Sequence, residues 1–136
     1  MGSLAGCDGA FAGDLRATNA SSIGIGFSAS DPIPAGGTDA SGVARVTISV
    51  KHELADWEQA GAGPEGVSTG NVTYGFARGD GRYCVATVAV DRAGNHEESP
   101  SGTGDDSIIY DTTPPSSQAV CDEFNNTGSI AVAWTA

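Results

Sequence analysis

Hydrophobic and polar positions alternate along much of this chain. From Tyr83 to Val90 the pattern has period two: Tyr83, Val85, Thr87 and Ala89 point one way, and Cys84, Ala86, Val88 and Val90 the other. The run is rich in β-branched and aromatic residues and contains no Pro, which predicts a central strand. Asp80-Gly81 in front of it is a turn signal. Asp91 to Asn95 closes it, with Gly94 supplying the tight bend. Further strands are predicted near residues 4–12, over 22–30, from Val43 to His52 with Val46, Ile48 and Val50 on one face, from Asn71 to Ala77, and from Ser107 to Asp111. Residues 31–40 read as a loop. Residues 53–70, with Trp57 amid Gly and Pro, read as an irregular crossover, and 97–106 as a polar, acidic extension. About seven short strands with turn signals between them predict an all-β, antiparallel β-sandwich.

Tyr83 follows the Asp-Gly turn at the foot of its strand. That position suggests a tyrosine corner, in which the hydroxyl ties down the preceding connection. The same stretch resembles strand F of the Ig-like or fibronectin-III-like repeats of large bacterial and archaeal surface proteins, which often read D-G-x-Y-x-x-x-x-x-A-x-D-x-A-G-N. The matching residues are Asp80, Gly81, Tyr83, Ala89, Asp91, Ala93, Gly94 and Asn95. Ser41-Gly42-Val43 and Tyr110-Asp111-Thr112-Thr113-Pro114-Pro115 agree with it. The resemblance spans residues 16–115 and implies an Ig-like sandwich over 1–113. It is specific for fold and weak for function, because such modules serve many proteins. The consecutive prolines imply a stiff, extended linker.

Two segments repeat. Ser3-Leu4-Ala5-Gly6-Cys7-Asp8 resembles Ser117-Gln118-Ala119-Val120-Cys121-Asp122. Ile23-Gly24-Ile25-Gly26-Phe27-Ser28-Ala29 resembles Ile130-Ala131-Val132-Ala133-Trp134-Thr135-Ala136. Residues 114–136 therefore read as a linker plus the opening strands of a next module, or as a donor strand. A period of about 110 residues suits an array of sandwich modules.

Charge changes the picture next. Across 136 residues the formal net charge is −11, and Lys51 is the sole lysine. Such a balance argues against nucleic acid and against an anionic bilayer, whose phosphates it would repel. No stretch approaches the ~20 apolar residues of a membrane helix. Leu4-Ala5-Gly6-Cys7 resembles a lipobox, but too few residues precede it for the charged and apolar regions of a signal, so the match is read as chance.

No nucleophile or metal motif surrounds either histidine, His52 or His96, so no enzyme is expected. Three groups of residues offer chemistry. An acidic pole combines Asp31 and Asp39 with Asp91 and Asn95, and Asp111 faces the equivalent pole of a next module. Such a set either binds calcium, which takes six to eight oxygens, or consists of a turn-capping Asp91 beside solvated acids. Three cysteines in an extracellular chain suggest one bridge and one leftover. Cys84–Cys121 is the favoured pair, with Cys7 left to a preceding module or chain. Cys7–Cys84 within one sandwich and three free thiols are the alternatives. Asn19, Asn71 and Asn125 begin acceptor sequons for glycosylation. Trp57 reads as a packed plug rather than a sugar platform.

The resulting expectation is a non-catalytic structural module of an extracellular surface or filament protein, serving spacing, stiffening, head-to-tail joining or adhesion. The alternative is an accessory, carbohydrate-binding module of a secreted enzyme. The expected partners are neighbouring modules or copies, joined through Ile130, Val132 and Trp134 by strand addition, because leaving three such side chains in water costs about 1.5–3 kcal/mol each.

Overall fold

The computed structural model describes Cys7 and residues 16–121, 123–124 and 126–136. The strand predicted near 4–12 lies, apart from Cys7, outside the described residues. Nine strands and no helix occur among those described: β1 Ala17–Thr18, β2 Ser22–Ser28, β3 Val43–His52, β4 Glu58–Ala62, β5 Thr69–Gly75, β6 Gly81–Asp91, β7 Asp106–Tyr110, β8 Gln118–Cys121 and β9 Val132–Thr135. The protein is all-β and sandwich-like. One sheet has the order β1-β7-β6-β3-β4, β2 and β5 form a second, and β8 and β9 a third. All pairings are antiparallel except the short β1–β7 contact.

The alternating runs become strands because one face of each is covered. Ile25 and Phe27 of β2 and Phe76 after β5 meet Val46, Ile48 and Val50 of β3 and Tyr83 and Val85 of β6 in one core. Val46, Ile48 and Tyr83 are fully buried, each such aliphatic contributing about 1.5–3 kcal/mol relative to exposure. The Phe27 ring lies between its cross-strand partner Gly70 and Gly63 beside β3: a side-chain carbon added at Gly63 or Gly70 would lie 2.5 or 2.7 Å from its Cζ. Those two glycines are the space the ring occupies.

The opposite face of the large sheet is also covered at its centre. Ser49 pairs with Ala86, and Lys51 with Cys84, and all four are buried. Cys7 is fully buried against this face. Its amide donates to the Glu53 carbonyl at 2.5 Å, and its Sγ lies 3.7 Å from the Lys51 carbonyl oxygen. The structure thereby corrects the favoured disulfide. Cys84 is bonded to Cys7, with Cα atoms 6.1 Å apart, and Cys121 is free and exposed. The expected assignment of Cys7 to a preceding module or chain falls with it. The pair formed is the alternative within one sandwich, because Cys7 lies beside the end of β3, next to Cys84. Cys121 belongs to β8 and pairs with Val132, not with any residue of β6.

Two elements have no counterpart in the pattern. β4 lies within the stretch expected to be irregular, because Glu-Gln-Ala-Gly-Ala carries no β-branched or large apolar residue. Its ladder to β3, interrupted by a register shift at Ile48/Ser49, rests on backbone pairing. Gly61 is required there, since a side-chain carbon would meet Val72 Cγ1 at 2.8 Å. β1, at two residues, is too short to show a period.

Beyond Val85, β6 no longer pairs with β7. Carboxylates of the acidic 97–106 segment take over as acceptors: Asp105 Oδ2 receives the Thr87 amide at 2.9 Å, and Glu97 Oε2 the Ala89 amide at 2.8 Å. An edge clothed in charge resists pairing with other chains.

Candidate functional site: the Tyr83 corner and the chain exit

Tyr83 is the anchor of the site. Its ring is buried beside Phe76 and His52, with centroids 4.8 and 4.6 Å away. Its hydroxyl donates to the Gly79 carbonyl at 2.7 Å and accepts the Arg78 amide at 3.2 Å. This is the corner geometry expected from the sequence. Burial of the ring raises the Tyr83 pKa above the ordinary value for a phenol. The hydroxyl therefore stays protonated and donating at neutral pH.

The next residues are held from the β3 end. Glu53 adopts φ 51° and accepts the Arg82 amide on Oε1 at 2.5 Å, while its own amide donates to the Arg82 carbonyl at 2.9 Å. Gly81 has φ 139°, and a side chain there would strike Glu53 Oε1 and His52 Nε2 at 2.6 and 2.7 Å. Only glycine fits.

Asp80 then faces the departing chain. Oδ2 accepts the Thr112 amide at 2.9 Å and the Thr113 hydroxyl at 3.2 Å, and Oδ1 accepts the Thr112 hydroxyl at 2.8 Å. These bonds, the Thr112 amide first, lower the Asp80 pKa. Sequence reasoning found Asp80 as a turn former but missed its role as acceptor. The available signal was the Thr-Thr pair before Pro-Pro, which supplies side-chain donors at the point where the chain exits.

The predicted acidic pole comes together in part. Asp31, Asp91 and Asn95 line one cleft of about 320 Å³ with Val43 and Glu97; Asp39 and Asp111 do not line it. Asp31 Oδ2 accepts the Gly42 amide at 2.7 Å and the Ser41 hydroxyl at 3.1 Å. Asp91 is capped on both oxygens by Asn95, through its amide and its Nδ2, each at 2.8 Å. Bonding to Asn95 is what lowers the Asp91 pKa. Gly94 sits in that turn at φ 95°, as the bend requires. Asp39 accepts the Thr38 hydroxyl, and Asp111 the Thr113 amide. Among the described residues no three His, Cys, Asp or Glu side chains converge as a metal-binding group.

Of the sequons, Asn19 and Asn71 are exposed, Asn71 on β5, and Asn125 lies outside the described residues. Trp57 is half-buried, its Cη2 2.6 Å from where a side-chain carbon of Gly104 would sit. Ile130, Val132 and Trp134 are exposed at 56%, 54% and 76%. β9 is not a lone strand, because β8 pairs along one of its edges.

In comparisons with known proteins, no family model matches the chain, and neither a curated protein nor a solved structure matches it. The fold and the corner define its class: an all-β, sandwich-like module with one internal disulfide and an anchored exit. No described helix is long and apolar enough to cross a membrane.

Proposed function

We propose that this is a non-catalytic, Ig-like structural module of an extracellular surface or filament protein, working in spacing, stiffening and head-to-tail joining. The observation that carries the reading is the tail. β8 and β9 repeat the segments around Cys7 and β2, and the apolar positions of β9 stand exposed where those of β2 are covered. A second module or a second copy of the chain is the natural cover for such a face. The order β7-β6-β3-β4 opposite β2–β5, together with the tyrosine corner, supports the Ig-like assignment. The Cys7–Cys84 disulfide supports an oxidising, extracellular setting.

Light scattering on the whole chain over a concentration series tests this reading. Association that is lost in Trp134→Asp, with the sandwich still folded, is the expected result. A monomer at every concentration, unchanged by that substitution, would remove the joining role. Adding a chelator asks whether calcium at Asp31 and Asp91 contributes, which a chelator-dependent change in size or melting would establish.

A further inference from the structure

We infer that Asp80 is a latch: its carboxylate holds the Thr112-Thr113 step against the Tyr83 corner and sets the direction in which the chain leaves the sandwich. Each half of the contact is independently fixed. On the corner side, the Tyr83 hydroxyl binds the Gly79 carbonyl, His52 Nε2 lies 3.1 Å from the Asp80 carbonyl oxygen, and Glu53 holds both the amide and the carbonyl of Arg82 just beyond Gly81. On the exit side, the Asp111 amide donates to the Thr18 carbonyl at 3.0 Å, and Asp111 Oδ1 accepts the Thr113 amide at 2.9 Å. Between them the Asp80 carboxylate receives three donors.

An ionised carboxylate suits this task because both oxygens accept; an amide offers one accepting oxygen and turns a donor toward the Thr hydroxyl. Pro114 and Pro115 carry the direction outward. Pro114 restricts Thr113 to extended backbone, and consecutive prolines favour extended polyproline geometry over swivelling. A direction set at Thr113 therefore survives past the two prolines. For an array, this would make Asp80 the residue that fixes the angle between successive modules, a consequence that rests on the proposed tandem arrangement.

The test is residue-resolved amide exchange on the full chain, comparing the parent with Asp80→Ala, Asp80→Asn and Thr112→Val. The latch predicts that Thr112 exchanges at least ~10-fold faster in Asp80→Ala. Asp80→Asn falls between Asp80→Ala and the parent, Thr112→Val gives a smaller acceleration because its backbone bond remains, and Val46, Ile48 and Val85 are unaffected in all three. Unchanged Thr112 exchange in Asp80→Ala would overturn the proposal. So would an equal acceleration at Val46 and Ile48, which would make Asp80 a contributor to global stability instead. Residual dipolar couplings of β8 and β9 separate the two readings. If they shrink along with loss of Thr112 protection, the latch orients the tail. If Thr112 opens while they stay unchanged, the exit direction is set elsewhere and the proposal is overturned.

Discussion

β2 and β9 are nearly the same strand in different surroundings. Ile25 and Phe27 of β2 are 7% and 6% exposed; the matching Val132 and Trp134 of β9 are 54% and 76% exposed. Both strands lie in two-stranded antiparallel sheets, β2 with β5 and β9 with β8. What differs is the second layer, since β2 packs with residues of β3 and β6 in the core and β9 does not. An alternating pattern thus specifies a strand and its apolar face. Burial comes from partners far away in sequence, and a copy of the pattern without those partners remains a bare hairpin.

The sharpest way to break the comparison is to truncate the matching aromatics. Phe27→Ala should cost about 3–5 kcal/mol, because a fully packed ring leaves a cavity between Gly63 and Gly70. Trp134→Ala should stay within about 0.5 kcal/mol, as at an exposed site. Denaturant melts of the dilute chain check both. A comparable loss at the two positions would mean that the tail packs on the sandwich in solution.

The cysteines extend the comparison. Cys7 and Cys121 occupy matching places in the repeat, yet Cys7 is bonded across 77 residues of chain to Cys84, while Cys121 is free. Cys84→Ser should destabilise by about 2–5 kcal/mol, most of it through the less constrained unfolded chain. Cys121→Ser should leave the melt unchanged, and peptide mapping of the parent should recover the 7–84 bridge. Recovery of an 84–121 bridge would reverse that assignment.

Those outcomes also measure what the chain makes legible. The period-two runs placed β2, β3, β5 and β6 closely, β2 and β5 burying one side of the alternation and β3 and β6 covered on both faces at their centre, and the short apolar run Ile108-Ile109-Tyr110 placed β7. β4 was hidden because its Glu, Gln, Ala and Gly carry no such signal, its place being set by β3's backbone. Tyr83 was readable because a fixed spacing after Asp-Gly encodes its hydrogen bond. The disulfide was not, since the course of the chain before β1 decides which cysteine meets Cys84. Asp80 was half-legible: its turn was local, but its three donors come from more than 30 residues away.

Tyr83→Phe should have a smaller effect, about 1–2 kcal/mol, because it leaves the Gly79 carbonyl and Arg78 amide without their partner while keeping the ring packed. An unchanged melt would indicate that water replaces the hydroxyl at no cost and that the corner is not an anchor.

The smallest effect concerns Asp80 and acid. Its pKa in the folded chain is lowered, first by the Thr112 amide and then by the Thr112 hydroxyl. A depressed carboxylate contributes above the unfolded pKa, and the contribution fades as pH falls through the folded value. The latch should accordingly be closed at pH 7 and at pH 5, and open only below the ordinary carboxylate value of 3.8. The titratable neighbours are His52 at the Asp80 carbonyl, the buried Tyr83, Glu53, which holds the Arg82 amide rather than any donor of Asp80, and Asp111, which caps Thr113. Of these, Tyr83 does not ionise in acid, and Asp111 acts on the Thr113 amide, a different donor from those of Asp80. His52 reaches the Asp80 backbone carbonyl and is not a partner of its carboxylate. Thr112 exchange, corrected for its intrinsic pH dependence, should then follow a single acidic transition that is absent in Asp80→Asn. A transition that persists unchanged in Asp80→Asn would separate the latch from its carboxylate.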